Sequence, residues 1–266
     1  MYIKDIIKLQ KSNKKRIKNN YIIVEGNREI KMALKGNFKI YKIFICKEIF
    51  NKIYHDYCIF KQYIIYINKK KYKKISYRNK TEGILGVFKK KNNYSLKEFK
   101  KYIKNKNNNS IVLIIDNIEK PGNIGSIIRT VEATNIINFI IFINKKDIYN
   151  PNIIRSSLGC IFIVPILILN FNDFKKYIIN NYYILGTSIY KKNNLCLYQN
   201  NINIYNKDIG IILGNEHNGI SKIFKKYIKN YIHIPMYGEI NSLNVSNSFA
   251  IIIYEILRIK LFNIKI

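Results

Sequence analysis

At 266 residues the chain is long enough to bury a real core in one large domain or two modest ones. Apolar residues make up 48% of it, which excludes a disordered protein. Its 47 Lys and Arg stand against 16 Asp and Glu, and the resulting charge of +31 suits a polyanionic partner, RNA or DNA.

Lys, Asn, Ile and Tyr are heavily used throughout, as in a proteome shaped by AT-rich codons, so part of the charge is compositional drift. Residues that resist the drift stand out. Only six basic residues are Arg (16, 28, 78, 129, 155 and 258). Lys serves wherever diffuse charge suffices, so a retained Arg points to a need for its planar fork of donors. Four cysteines, at 46, 58, 160 and 196, have no close pairing and no His at metal-ligand spacing. They read as buried thiols in a reducing compartment, with no metal expected. No apolar run reaches the roughly eighteen residues of a membrane span. The basic N-terminus lacks an apolar signal core, and the expected location is the cytoplasm or an equivalent matrix.

In chain order, the first 20 or so residues form a basic helix or arm. Residues 21–24 read as a strand. The helix that follows has Ile30, Ala33 and Leu34 on its apolar face and stops at Gly36. Short apolar strands recur at 41–46, 63–67 and 84–88, giving a small α/β unit over residues 1–92. Residues 93–109, rich in Lys and Asn, read as a linker. A second α/β domain spans 110–266, with strands expected at 111–115, 139–143, 161–168, 182–185, 209–213 and 231–234. Propensity alone does not order those strands.

Four stretches of the second domain carry chemistry. In the first, a strand ends at Asp116, Pro121-Gly122 turns, and Asn123 stands at the expected N-cap. Ile124, Ile127, Ile128 and Val131 make the core stripe, which leaves Gly125, Arg129 and Glu132 on the other face. Asn123 and Arg129 are then expected to project together beyond the strand ends, where open α/β sheets bind ligands. A capped helix with an exposed Arg explains the same pattern. The spacing Gly122-Asn123-Ile124-Gly125 is not a dinucleotide loop.

The second stretch, 150–159, sets Arg155 beside Ser156 and Ser157, a grip for phosphate or an Arg at a helix end. In the third, the strand 209–213 runs through Leu213 into Gly214, where glycine lets backbone approach a ligand closely. Glu216 follows as an acceptor for a ligand hydroxyl or for Arg129, and His217 reads as a bystander. The fourth places Ser242, Asn244 and Ser246 between a strand ending near Pro235 and the apolar run 249–257. A helix apolar on all sides is expected to be buried, with its polar first turn facing a protected site.

These motifs together resemble the SpoU (TrmH) branch of the SPOUT RNA methyltransferases. The resemblance rests on Asn123-x-Gly125-x-x-x-Arg129, on Leu213-Gly214-Asn215-Glu216, on Ile234-Pro235-Met236 with Ser242-Leu243-Asn244-Val245-Ser246, and on Arg155-Ser156-Ser157-x-Gly159. Upstream, Val24-Glu25-Gly26, Arg28-Glu29-Ile30 and Thr81-Glu82-Gly83 resemble the L30e-like substrate-binding domain of the rRNA-type members.

The resemblance implies an α/β fold: a C-terminal SPOUT domain tied in a deep trefoil knot plus a smaller N-terminal L30e-like domain. It implies S-adenosylmethionine as cofactor, held near Leu213, Gly214, Ile234, Met236 and Leu243, and methyl transfer to a ribose 2′-OH of RNA. Large-subunit rRNA is the expected substrate, with tRNA, or RNA binding without catalysis, as alternatives. A homodimer with sites drawing on both subunits is implied as well.

Arg129, Asn123, Glu216, Ser242 and Asn244 take the catalytic positions, and Arg28, Arg155 and Ser156 are candidates for RNA contact. The resemblance gives Arg129 the role of general base. A guanidinium with a pKa above ~12 suits a phosphate grip and stabilisation of a developing alkoxide better. Two departures are noted: the family often has Gly where His217 stands, and Asn135 ends a helix where Gly is common.

Overall fold

Apolar strands alternating with amphipathic helices resolve into two separate sheets. The computed structural model describes residues 2–50, 54–78, 80–105, 109–144, 147–188, 195–198 and 207–262. The first elements are α1 (Ile3–Lys11), α2 (Asn13–Asn19), β1 (Tyr21–Glu25), α3 (Asn27–Lys35), β2 (Ile40–Ile45), β3 (Ile64–Tyr66), α4 (Lys69–Ile75) and β4 (Ile84–Lys89). Next come α5 (Leu96–Asn105), β5 (Ile111–Ile115), α6 (Pro121–Thr134), β6 (Phe139–Ile143), α7 (Pro151–Ser156), β7 (Ile166–Leu169) and α8 (Phe171–Phe174). The chain closes with β8 (Tyr183–Thr187), β9 (Leu195–Cys196), β10 (Ile209–Leu213), α9 (Lys222–Lys225), β11 (Asn230–His233) and α10 (Val245–Phe262).

The N-terminal unit is built on a four-stranded sheet ordered β1-β4-β2-β3. Strand β4 runs antiparallel to both neighbours, while β2 and β3 are parallel. Period-two alternation sends Ile23, Phe44, Leu85 and Val87 to one face, where Ile6 and Leu9 of α1 and Tyr72 and Ile75 of α4 cover them. Ser76, Tyr77 and Thr81 are tied down from inside the fold. Glu25, 7% exposed, accepts from the hydroxyls of Ser76 and Thr81 at 2.7 and 2.9 Å and from the Tyr77 N–H at 2.7 Å. The upstream Val24-Glu25-Gly26 motif therefore serves the architecture of this unit.

Residues 147–163 belong to the same compact unit as residues 1–92, although they follow β6 in sequence. That differs from the expected boundary, which kept everything from 110 onward together. Buried Arg16 explains the attachment: it pairs with Asp147 and donates to the carbonyls of Leu9 (2.5 Å) and Gln10 (3.0 Å). Phe162 packs edge-on against Phe38 with ring centroids 4.9 Å apart. Gly159, at φ +81°, sits so close to α3 that an added Cβ would lie 2.8 Å from Met32 Cβ and 2.9 Å from Glu29 Cα. The expected strand 161–168 is accordingly split, with a 3-10 turn at Cys160–Phe162 in this unit and only Ile166–Leu169 joining the second sheet.

The second unit, residues 93–146 with 164–266, holds a seven-stranded sheet ordered β7-β6-β5-β10-β8-β11-β9, parallel throughout. Its central strands are apolar on both faces, as Ile209, Ile211, Ile212 and Leu213 illustrate at 0% exposure. Where a linker was expected, residues 96–105 form α5. The Ser95 hydroxyl accepts from the Glu98 N–H (3.3 Å) while the Glu98 carboxylate accepts from the Ser95 N–H (2.6 Å), a reciprocal cap. Phe99 is fully buried in the core beside Phe139. Helices α6 and α10 pack on one another. Helix α10 is not buried all round as its sequence implied: Tyr254 is 51% and Leu261 67% exposed.

Among the described residues no helix is long and apolar enough to cross a membrane, and no three His, Cys, Asp or Glu cluster as metal ligands. Cys46 and Cys160 are buried, Cys196 is half-buried, and none of the three is in a disulfide. The side chain of Cys58 lies outside the described residues.

Candidate active site

The carboxyl ends of β8, β10 and β11, three neighbours in the parallel sheet, open onto one cavity of about 660 Å³. Parallel α/β sheets bind ligands at this edge because loops, rather than ladder hydrogen bonds, meet there. Strand β10 delivers Gly214 to the cavity wall, where an added Cβ would overlap the backbone of Gly219 and Ile220. Asn215 and Gly219 then exchange two backbone hydrogen bonds of 3.0 Å that close the loop. The positive φ of this loop falls at Gly219 (+65°) and not at His217, so His217 costs the loop no strain.

Residues from separate segments fix the loop. Asp116, 2% exposed at the end of β5, accepts from the Ser221 N–H at 2.6 Å and its hydroxyl at 2.9 Å. The Asn215 amide donates to the Asn117 carbonyl (3.0 Å) and the Glu119 carboxylate (2.9 Å), while its oxygen receives the N–H groups of His217 and Asn218 at 2.9 Å. The sequence reading passed over these anchors because each bond spans about a hundred residues or joins side chain to local backbone.

A relay of side chains joins three of the motifs. The Asn123 amide donates to Glu216 Oε1 at 2.7 Å, the Asn244 amide donates to Asn123 Oδ1 at 3.1 Å, and the Ser246 hydroxyl and N–H donate to Asn244 Oδ1 at 2.7 and 2.9 Å. Each amide gives with its nitrogen and accepts with its oxygen, so the relay fixes every orientation in it. Glu216 Oε2 also accepts from the Glu119 N–H at 3.2 Å. Burial alone raises the Glu216 carboxyl, but the Asn123 amide and the backbone N–H groups of Glu216, Glu119 and Lys120 outweigh it and hold it below the usual carboxylate range.

Eight of the expected site residues line the cavity: Leu213, Gly214, Glu216, Ile234, Met236, Ser242, Leu243 and Asn244. Asn123 stands behind them as third residue of α6, whose N-cap is Lys120, so the expected N-cap role is corrected. Arg129 does not join them. Six residues apart on a helix means about 120° around its axis, and Arg129 is exposed while Asn123 is buried. Asn135 ends α6 in the left-handed region (φ 52°), and the missing Gly is tolerated.

Arg28, Arg155 and Ser156 lie in the N-terminal unit. Arg28 and Arg155 are exposed. The hydroxyls of Ser156 and Ser157 donate to the carbonyls of Asn152 (2.6 Å) and Ile154 (3.1 Å), so they are not spare donors for phosphate as the sequence suggested. Three other arginines are committed to ion pairs: Arg16 with Asp147, Arg78 with Glu29, and Arg258 with Glu255.

Residues 1–86 match the MRM3-like substrate binding domain, and residues 110–254 match the SpoU rRNA Methylase family. A TrmH family relative from Staphylococcus saprophyticus is 32% identical over 155 residues, covering 56% of this chain and 59% of its own length. A relative from Borreliella burgdorferi, named an uncharacterized tRNA/rRNA methyltransferase, is 35% identical over 155 residues and matches 58% of this chain and 66% of its own. The chain thus spans less than two thirds of these relatives.

Among solved structures, an RNA 2′-O ribose methyltransferase superposes with a TM-score of 0.80 at 24% identity, covering 97% of this chain and 96% of its own. The SpoU methyltransferase AviRb from Streptomyces viridochromogenes, solved in complex with AdoMet, gives 0.81 at 20% identity, with 97% of each chain covered. These likenesses carry the fold. With Gly214, Glu216, Ser242 and Asn244 gathered at one cavity and the family match covering more than half its length, the chain belongs to the SpoU methylase family.

Proposed function

We propose that the chain transfers a methyl group from S-adenosylmethionine to a ribose 2′-OH of RNA, and that large-subunit rRNA is the substrate. The observation that carries this reading is the relay from Glu216 through Asn123 and Asn244 to Ser246, which ends at the cavity beside Gly214. The residues present fit the cofactor. About 660 Å³ is within the range of small-molecule sites, Leu213, Ile232, Ile234 and Leu243 offer an apolar wall, and side-chain-free Gly214 bares backbone groups. When bound, S-adenosylmethionine supplies an electrophilic methyl on a sulfonium.

The chain's own task is alignment and charge. Ser242 and Asn244 orient the ribose, and the relay holds Asn244 in one rotamer so that the 2′-oxygen meets the methyl in line. Glu216 organises the loop that frames Gly214. Arg129 grips the phosphate beside the target ribose and stabilises the alkoxide as it forms, with the proton passing to phosphate or water.

Because Arg129 is exposed and outside the cavity of its own chain, we assign it to the cavity of a second copy. Tyr254 and Leu261, apolar and exposed on the helix that packs against α6, suit a homodimer face. Mixing inactive Arg129→Ala with inactive Asn244→Ala should restore about a quarter of wild-type turnover, since half the dimers would hold one intact site. No recovery on mixing would mean that Arg129 acts within its own chain. The activity is tested by mapping 2′-O-methyl sites on total RNA with and without the protein: a new site on large-subunit rRNA is expected, and one confined to tRNA would overturn the substrate.

A further inference from the structure

Outside the cavity, the N-terminal unit concentrates charge. Residues 1–92 hold 25 of the 47 basic residues and six of the 16 acidic ones. Helices α1 and α4 pack side by side and end at the same place, where the Gln10 amide donates to the Ile75 carbonyl at 2.5 Å. Lys8 and Lys11 in the last turn of α1, and Lys73 and Lys74 in the last turn of α4, are all exposed. Cations at a helix end ordinarily answer its dipole. Here Arg16 and Gln10 already bond the terminal carbonyls, so these lysines are surplus to that need.

Beside them lies a shallow notch of about 10 Å³, room for about one water molecule, bordered by Gln10, Glu25, Tyr77, Arg78, Pro151 and Arg155. Its parts are held before any ligand arrives. The Tyr77 N–H is fixed to Glu25, the Ser76 hydroxyl bonds Glu25 and the Arg78 carbonyl (2.8 Å), and Arg78 is paired with Glu29. Helix α7, which presents Arg155, starts on Pro151 with an Asn150 side-chain cap. Two groups are left to act outward. Tyr77 is 41% exposed, and Arg155 is exposed with no ion pair among the described residues.

We propose that the exposed surface around this notch docks one unpaired nucleotide of the substrate RNA, its base stacked on Tyr77 and its phosphate gripped by Arg155. The proposal rests on the reading that RNA is the substrate. An exposed tyrosine face beside an arginine stacks on a base that has left its helix, whereas a lysine-plated surface alone would hold duplex or single strand alike. Arg155 supplies the bidentate phosphate fork that the abundant lysines do not. Glu25 is already bound by three donors, which blunts its repulsion of the phosphate.

The test measures binding of a short labelled oligouridylate, and of an RNA duplex of equal length, to the full-length chain. Tyr77→Ala and Tyr77→Leu should each weaken the single strand roughly 5- to 150-fold, and Tyr77→Phe should stay within about twofold of wild type. Both replacements keep the backbone N–H that Glu25 holds, and the leucine keeps bulk should alanine fold poorly. Arg155→Ala should weaken the single strand and lower its log affinity–log salt slope by about 0.7, one phosphate contact. Duplex affinity should change less than about twofold in all of them. Unchanged oligouridylate binding by the tyrosine variants, or equal losses on duplex and single strand, would overturn the proposal. Binding is read without methyl transfer, so a wild-type chain that holds RNA but transfers no methyl group overturns the activity and leaves the docking site standing.

Discussion

Gly214 marks the point where the parallel sheet gives way to the cavity, and its missing side chain is what lets the 214–219 loop fold back on itself. A methyl group there would meet the backbone of Gly219 and Ile220, which cannot rotate away as a side chain can. Gly214→Ala should cost about 1–3 kcal/mol of stability and more in cofactor affinity, as read by thermal melts and calorimetric titration. Glu216 makes a second prediction. Its folded-state carboxyl titrates below the usual range, so the stability it contributes is present above the ordinary carboxylate pKa near ~4.3 and is lost as pH falls through the lowered value. Glu216→Gln should flatten the acid side of the stability–pH profile, read by melts across pH, while leaving the neutral region the better preserved part. A profile that keeps its acid limb would remove Glu216 as the titrating group.

At the scale of elements, α5 shows why a Lys- and Asn-rich stretch passed for a linker. Its stripe of Leu96, Phe99, Tyr102 and Ile103 is diluted by lysines that point outward, and only the Ser95–Glu98 cap announces its start. Phe99→Ala should lose about 3–5 kcal/mol in denaturant unfolding, where a linker residue would lose nothing measurable. The strands, by contrast, were legible because a sheet buried on both faces demands unbroken apolar runs such as 209–213. Much of the site was legible for a related reason: Gly214, Glu216, Ser242 and Asn244 are small or polar residues standing between apolar elements. Which members of the relay bond one another, and the Asp116–Ser221 latch, were not, since sequence spacing carries no information on which distant side chains meet. Treating one helix as one face hides that Arg129 points away from Asn123, since six positions turn the chain about 120°.

For the whole molecule, the segment 147–163 is the feature that no local pattern foretells. Arg16 is nine-tenths or more buried, and Asp147 is its carboxylate partner from the far side of the sequence. Asp147→Ala should cost about 3–5 kcal/mol in chemical unfolding of the full chain, the usual penalty for stranding a buried charge. A loss under ~1 kcal/mol would mean that the aromatic contacts of Phe162 alone retain the segment. The same arrangement sets a timetable for synthesis. Residues 1–92 emerge from the ribosome before 147–163, so the part of β1 on which α7 packs stays uncovered until residue 163 has been made, although α1 and α3 already cover the rest of the strand. At roughly 5–20 residues per second that wait lasts seconds, ample time for the uncovered apolar surface to find another chain. The newborn protein thus meets a hazard of misassociation while residues 93–163 are being made, and a slower codon run there would lengthen it.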